Sequence, residues 1–273
     1  MLVACATSHA LDPNSQLTQL NHRNWVVRDA APSDITAIAQ TKDGALWLGT
    51  SGLLYWTDGI NFEVHASGGD FQLPATNISA LRGAEDGSLW VGFRFGGVAR
   101  VFKREIKSYG EADGLPGGVV HTITQDAEGA MWVATSRGLA RLFDGRWQRM
   151  DTKWGWTEGP ALCAFVDRIG TLWVATRDRV LKLPARQHRF QPVADLQTRI
   201  TGASFAQAPD GTVWLSTPDL GITQLRDGIA PRWFEHRTAG QIMFDRDGNL
   251  WMAGEGLRRV PASAAAEPES SHV

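Results

Sequence analysis

Asp43-Gly44-Ala45-Leu46-Trp47 is the first of six copies of one short motif in this chain. Each copy ends in a tryptophan, and successive tryptophans lie 43, 42, 41, 41 and 37 residues apart. These anchor residues are Trp47, Trp90, Trp132, Trp173, Trp214 and Trp251. Self-similarity at a period of about 40 residues is typical of repeat proteins, in which each unit buries its apolar face against its neighbours. The anchors are therefore expected to be structural.

Around the first anchor the sequence divides into four short apolar runs separated by turn residues. The predicted strands are Ile35–Gln40, Leu46–Gly49, Leu53–Trp56 and Phe62–His65. The Asp-Gly and Ser-Gly pairs between them are hairpin signals, because glycine tolerates the positive φ that tight hairpin turns need. A four-stranded antiparallel meander repeated at this period predicts an all-β fold, a β-propeller of six four-stranded blades.

The sixth unit lacks a fourth strand in sequence order. After Pro261 the chain becomes rich in alanine, serine and glutamate, a composition that does not supply one. We therefore predict that an N-terminal strand, Asn24–Asp29, closes the last blade and removes an open sheet edge. The alternative is an incomplete seven-bladed propeller. The expected organisation is a signal-peptide remnant at 1–10, an irregular segment at 11–23, the propeller at 24–261 and a disordered tail at 262–273.

Composition excludes two classes of partner. The 273 residues carry 27 Lys+Arg against 29 Asp+Glu, for a net charge of −2, with no cationic run, so nucleic-acid binding is not expected. No stretch approaches the roughly 18 apolar residues of a membrane span.

The first ten residues end in Ser8-His9-Ala10, similar to the end of a secretory signal, which predicts export to the periplasm. Leu2-Val3-Ala4-Cys5 also has the pattern of a lipoprotein box.

Candidate ligand residues fall where propellers present them, over the central channel. The turns joining second to third strands, with the inter-blade loops, contribute Arg94, Phe95, Arg137, Arg177 and Glu255, together with Tyr109, Trp154 and Trp156; Asp178, Asp219 and His65 lie in the same segments. Three arginines on one face suit an anionic or sugar-acid ligand, since guanidinium offers a bidentate donor fork. Solvated turn arginines are the more common alternative. Trp154-Gly155-Trp156 is interpreted as a pair of exposed indoles that bind carbohydrate or a partner, or as a plug of the channel mouth.

His121 is the one histidine expected to approach the channel, either as a hydrogen-bonded wall residue or as a base or ligand. The seven histidines show no metal-binding spacing. The recurring acids Asp43, Asp86, Glu128, Asp210 and Asp247 are interpreted as turn residues. Cys5 and Cys163 cannot form a disulfide framework, and Cys163 is expected to be a buried thiol. No catalytic residue, cofactor or metal is expected.

The repeat resembles the two-component regulator propeller repeat. The resemblance is carried by Ile35–Asp58, by Val120–Gly145 and by the connector Asp113-Gly114-Leu115-Pro116, and extends over about residues 20 to 260. It implies a periplasmic sensor propeller of a membrane histidine kinase or hybrid kinase, whose partner is a membrane signalling protein or a missing C-terminal half. The chain shows no phospho-acceptor helix and no ATP-binding glycine motif, and the connector Asp29-Ala30-Ala31-Pro32 has lost its Gly-Leu pair. We therefore expect a truncated or free-standing sensor without kinase activity.

Two functions from different classes remain open, with a pure interaction scaffold as a third. The leading hypothesis is a non-enzymatic sensor that binds an oligosaccharide or a small anion. The rival is a lyase of the streptogramin-inactivating type. Some of these lyases have propellers with a repeat that resembles this one, and they use a channel histidine with a metal ion. That activity would require a carboxylate beside His121, for which the sequence offers Glu255 and Asp219.

Overall fold

A computed structural model describes residues 25, 30–65, 72–103, 105–157, 159–196, 198–226, 233, 240–254 and 256–262. Within these ranges the chain forms 22 strands and two short 3-10 turns, Glu111–Asp113 and Thr152–Trp154. The all-β prediction is confirmed. None of the described helical segments has the length and hydropathy that a membrane span requires.

The strands form six antiparallel sheets, and in each sheet consecutive strands are neighbours. Blade 1 comprises β1 Ile35–Gln40, β2 Leu46–Thr50, β3 Leu54–Thr57 and β4 Phe62–Val64. Blade 2 comprises β5 Ile78–Gly83, β6 Leu89–Phe93, β7 Val98–Phe102 and β8 Glu105–Tyr109. Blade 3 comprises β9 Val120–Gln125, β10 Met131–Thr135, β11 Gly138–Phe143 and β12 Arg146–Arg149.

The remaining sheets follow the same meander. Blade 4 comprises β13 Cys163–Val166, β14 Leu172–Ala175, β15 Arg179–Leu183 and β16 Gln191–Asp195. Blade 5 contains β17 Ser204–Gln207, β18 Val213–Thr217 and β19 Gly221–Leu225. Blade 6 contains β20 Gln241–Phe244, β21 Leu250–Ala253 and β22 Leu257–Val260. Among the described residues, blades 5 and 6 thus show three strands each.

The six blades surround one central channel. Residues of all six blades line a single cavity of about 810 Å³. The first strand of each blade contributes to this lining, except that the lining residues of blade 5 directly precede its first strand. The fold is therefore a six-bladed β-propeller, as predicted. The predicted closing strand Asn24–Asp29 lies outside the described residues except for Trp25, whose ring packs edge-on against Phe62 at 5.7 Å. The predicted segments 1–10 and 11–23, and all of the predicted tail except Ala262, also lie outside them.

Adjacent blades pack through the anchor motif. On β10, Trp132 belongs to the apolar cluster shared with blade 4, which also contains Leu172 and Leu181. Its neighbour Met131 belongs to the cluster shared with blade 2, which contains Trp90. Successive side chains of a strand point to opposite faces of the sheet. The two residues of this dipeptide therefore pack at two different interfaces between blades, which are called seams below. This alternation explains why the leucine-type residue and the tryptophan recur together.

The turn before each anchor is held by an aspartate whose position differs between blades. In blades 1, 2 and 5 the carboxylates of Asp43, Asp86 and Asp210 each accept the N–H two residues later. In blades 3, 4 and 6 this role belongs to Asp126, Asp167 and Asp245, two residues earlier in the repeat. Glu128 and Asp247 do lie in their turns, but the carboxylate that accepts from the turn N–H groups and the anchor indole belongs to the earlier aspartate. Glu128 pairs instead with Arg141 at 2.5 Å.

The seam between blade 6 and blade 1 is packed more loosely than the others. Ile38 on β1 is 63% exposed, whereas Ile123, Phe205 and Ile242 at the same register position of their blades are 6%, 7% and 6% exposed. Met243, on the facing side of blade 6, is 58% exposed. The first and last blades therefore bury less apolar surface against each other than sequential blades do.

Candidate functional site

Hydroxyl side chains along the channel wall join neighbouring blades. The hydroxyl of Thr36 donates to the carbonyl of Ile78 at 2.6 Å, and the hydroxyl of Ser79 donates to the carbonyl of Val120 at 2.8 Å. Further round, Thr122 Oγ1 accepts from the backbone N–H of Ala164 at 2.8 Å. Each bond joins residues 41 or 42 positions apart and therefore crosses one seam. These polar channel residues are accounted for by the architecture.

His121 lies on the channel wall. Burial lowers the pKa of its imidazole below 6.5, so the ring is neutral at neutral pH. The described residues that line this cavity include no aspartate or glutamate. Across the described ranges, no group of three or more His, Cys, Asp or Glu side chains is placed to hold a metal ion.

Cys163 also lines the channel, and its thiol is buried. Burial raises the pKa of the thiol to about 12, which keeps it protonated at neutral pH. The thiolate is the reactive form of cysteine, so this thiol is held in its unreactive form.

Three candidate arginines lie at one mouth of the channel, here called the arginine mouth, in the turns between second and third strands of successive blades. Arg94, Arg137 and Arg177 are all exposed in blades 2, 3 and 4. Each turn is tied by a backbone hydrogen bond to the inter-blade loop beside it: Arg94 N to Asn77 O, Ser136 N to Val119 O, and Ile200 N to Arg177 O. Turns and inter-blade loops therefore form one face. Phe95, 78% exposed, belongs to the same surface.

The acids on this face are largely engaged. Asp219 accepts hydrogen bonds from the N–H and hydroxyl of Thr201. Asp178 accepts from the hydroxyl of Thr176 and pairs with Arg179 at 3.4 Å. Glu111 lies 4.0 Å from Arg137, with both side chains exposed, an arrangement worth little energy in water. The exposed charged donors of this face include the guanidinium groups of Arg94, Arg137 and Arg177. Glu255 lies outside the described residues.

The candidate aromatic residues take a different position from the one expected. Trp156 is 1% exposed and packs against Phe190 at 5.6 Å, within the seam between blades 3 and 4. Trp154 is half-buried, with its ring edge-on to Trp132 at 6.4 Å. Tyr109 stacks on Trp90 at 5.9 Å. The expectation of two exposed indoles is therefore wrong for Trp156, and Tyr109 contributes to packing.

A short turn explains the burial of Trp156. The Asp151 carboxylate accepts from the N–H of Lys153 and begins the 3-10 turn Thr152–Trp154, which ends at Gly155 with a φ of 72°. The chain reverses there, and the N–H of Trp156 returns to the carbonyl of Asp151 at 3.0 Å. The connector Glu111–Asp113, Gly114 and Leu115 forms the same turn, with Leu115 buried. Trp156 occupies the position of Leu115, a correspondence that the two sequences could have shown.

A second cavity, of about 540 Å³, was missed by sequence reasoning. It is lined by blades 4, 5 and 6 near the turns that join first to second strands, at the channel end opposite the arginine mouth. Its wall includes Phe165, Phe205 and Met243, and its rim includes Arg168 and Arg246. Typical ligand sites have volumes of about 300 to 1,000 Å³.

Arg141 forms ion pairs from a nearly buried position, with a side chain that is 9% exposed. It pairs with Glu128 and lies 3.5 Å from Asp126, and its guanidinium carbon lies 4.5 Å from the centre of the Phe143 ring. A pocket of about 110 Å³ adjoins it at the junction of blades 3 and 4. Because Arg141 already has carboxylate partners, it is a structural residue.

Two segments of the chain, residues 30–52 and 114–137, match the family described as two component regulator propeller. These segments cover parts of blades 1 and 3 and the connector before blade 3. A search of curated proteins finds no match.

Solved structures share the fold at low identity. The extracellular domain of BT4673 from B. thetaiotaomicron, assigned to a hybrid two component system, is 16% identical with a TM-score of 0.59 over 83% of this chain and 38% of that chain. The corresponding domain of BT3049 is 16% identical with a TM-score of 0.57, over 88% of this chain and 41% of that chain. Virginiamycin B lyase from Staphylococcus aureus is 14% identical with a TM-score of 0.67, over 84% of both chains. This chain therefore spans about two fifths of the two-component system domains that it resembles.

Proposed function

Because this chain carries two-component regulator propeller repeats, we propose that it is a non-enzymatic sensor propeller that acts in two-component signalling. The match of residues 30–52 and 114–137 to that family is the observation that carries the proposal. The similarity to extracellular domains of two-component systems supports it at the level of fold. The signal passes to a membrane signalling protein or to further domains of a longer chain.

The ligand in this proposal is a small anion or an acidic oligosaccharide bound at the arginine mouth. Arg94, Arg137 and Arg177 present exposed guanidinium groups on one face, above a channel of about 810 Å³. Guanidinium binds carboxylates bidentately, so successive arginines suit a ligand that carries several acid groups. Phe95 offers an exposed ring beside Arg94, against which a sugar ring can pack.

The site of action in this proposal is the periplasm. The first ten residues resemble the end of a secretory signal, and the similar two-component structures are extracellular domains. A propeller in that compartment meets extracellular solutes directly.

The lyase alternative has one observation in its favour, since His121 lies on the channel wall of a fold shared with virginiamycin B lyase. The described lining provides no carboxylate beside it, and Asp219 is held by Thr201 at the mouth. A base or metal ligand would need such partners to be oriented. The sensor therefore accounts for more of the described residues.

A thermal-shift screen tests the proposal. The purified chain is heated with digalacturonate, glucuronate, neutral glucose and divalent metals, and a ligand at a hundred times its dissociation constant raises stability by about 2.7 kcal/mol. We expect a shift with the acidic sugars that is reduced in Arg94→Gln and Arg177→Gln. The matched control is Arg146→Gln, an exposed arginine on the outer strand β12. A shift with metal alone that is lost in His121→Ala would favour the lyase, and equal shifts in all three arginine variants would reject the mouth as the site.

A further inference from the structure

The mouth opposite the three arginines has the features of a separate binding site. Its cavity of about 540 Å³ is lined by first strands of three blades and by the turns that follow them. Phe165 and Phe205 stack there across the seam between blades 4 and 5, with ring centres 6.2 Å apart and planes 24° apart. Ile242 and Phe244 extend this apolar wall into blade 6.

Met243 is exposed at this mouth, whereas the corresponding residue of blade 4, Phe165, which also pairs with an anchor tryptophan, is half-buried against Phe205. In blades 3 and 5 the same register position, paired with the anchor tryptophan, holds Thr124 and Ala206, which are 7% and 5% exposed. Met243 pairs with Trp251 in the same way but is 58% exposed. A flexible, polarisable side chain beside aromatic rings is suited to contact an apolar ligand.

Among the polar side chains of this cavity, the carboxylate acceptors already have hydrogen-bond partners, whereas a guanidinium donor is free. Asp167 accepts from the indole of Trp173 and from turn N–H groups, and Asp245 accepts from the indole of Trp251 and from Asn249. Both carboxylates therefore already accept hydrogen bonds from donors in their own blades. Two aspartates and two arginines nearly cancel in charge, so the free hydrogen-bonding groups decide which ligand fits.

The charged donors of this cavity are the guanidinium groups of Arg168 and Arg246. Arg168 is fixed by Gln207 Oε1, which accepts from its Nε at 3.0 Å, and by the carbonyl of Ala208. Arg246 is exposed and forms no hydrogen bond or ion pair with the described part of the chain. A rigid arginine and a free arginine thus stand at the rim of an apolar, partly aromatic cavity.

We propose that this second mouth binds an aromatic carboxylate. The ring lies against Phe165 and Met243, where aromatic and thioether contacts are both available. The carboxylate accepts from the guanidinium of Arg246, a charge-assisted hydrogen bond. This site is independent of the proposed function, because it lies at the other end of the channel and uses none of the same residues.

Calorimetric titration with phenylacetate tests the inference, with 2-phenylethanol as a neutral analogue and acetate as an acid without a ring. We expect phenylacetate to bind more tightly than either. Loss of one charge-assisted hydrogen bond weakens binding by about tenfold or more, which is the effect expected for Arg246→Gln. Met243→Ser removes apolar contact and should also weaken binding. Both side chains are exposed, so both variants should melt as the parent does.

Arg146→Gln, an exposed arginine on the outer strand β12 that belongs to neither mouth, is the control and should bind phenylacetate as the parent chain does. The inference is overturned if phenylacetate does not bind, or if 2-phenylethanol binds equally well. It is also overturned if Arg94→Gln abolishes binding while Arg246→Gln retains it, since the acid would then occupy the arginine mouth. Failure of the sensor proposal would appear separately, in the response of Arg94→Gln and Arg177→Gln to acidic sugars.

Discussion

The indole Nε1 of Trp173 donates a 2.8 Å hydrogen bond to Oδ2 of Asp167, six residues earlier in the chain. Oδ1 of the same carboxylate accepts from the N–H groups of Ile169 and Thr171 at 3.1 and 2.8 Å. One buried side chain therefore holds both the turn and the anchor of blade 4.

Replacing Asp167 should destabilise the protein more than replacing an aspartate that holds a turn alone. Asp167→Ala leaves three donors without their acceptor, and each buried unsatisfied group costs about 1 to 3 kcal/mol, so a loss of about 3 kcal/mol is expected. The control is Asp210→Ala in blade 5, where the exposed carboxylate accepts from Thr212 N at 2.8 Å, and about 1 kcal/mol is expected. Urea denaturation measures both, and equal losses would contradict the role assigned to Asp167.

The loose seam between blades 6 and 1 predicts unequal costs for the same substitution. Ile123→Ala removes a buried side chain and should lower the free energy of unfolding by about 2 to 5 kcal/mol. Ile38→Ala removes a side chain that is 63% exposed and should cost less than about 1 kcal/mol. A cost for Ile38→Ala as large as that for Ile123→Ala, in the same denaturation experiment, would show that this seam is packed as tightly as the others.

Trp156 should behave as a core residue. Trp156→Ala removes a fully buried indole from the seam between blades 3 and 4 and should cost about 3 to 5 kcal/mol. The exposed Phe95→Ala should leave the melting temperature nearly unchanged. If Trp156→Ala melts as the parent chain does, the side chain is on the surface, and its role as a ligand contact would have to be reconsidered.

The pH dependence of stability should show the burial of His121. Burial lowers the pKa of this imidazole in the folded state, so below pH 6.5 the unfolded state binds more protons than the folded state. Stability contributed by the neutral ring is therefore complete above pH 6.5 and falls as the pH drops from there towards the folded pKa. His121→Gln should flatten this slope between pH 7 and pH 5. An imidazole pKa above 6.5 in an NMR titration would instead indicate an acidic partner in the channel.

The fold was predictable because its signals are local. Gly-containing turns and apolar runs around Trp47 define a blade within 30 residues, and the period of the anchors repeats it. The loose fit of Ile38 was not predictable, since its sequence matches that of well-packed blades and only its position beside the last blade differs.

The candidate site was predictable only in part. The turn positions of Arg94, Arg137 and Arg177 follow from the meander, so their shared face could be inferred. Their binding of a ligand stays a prediction. The second mouth could not be found, because Phe165, Phe205 and Met243 come from three blades and share a cavity only in the assembled ring.

Hydrogen–deuterium exchange with and without digalacturonate tests the sensor proposal most directly. We expect slower exchange on ligand addition in the turns at Arg94, Arg137 and Arg177, with exchange unchanged in the turns at Arg168 and Arg246. Protection confined to the opposite mouth, or absent at every turn while the sugar is in excess, would contradict the proposal that the arginine mouth senses an acidic ligand.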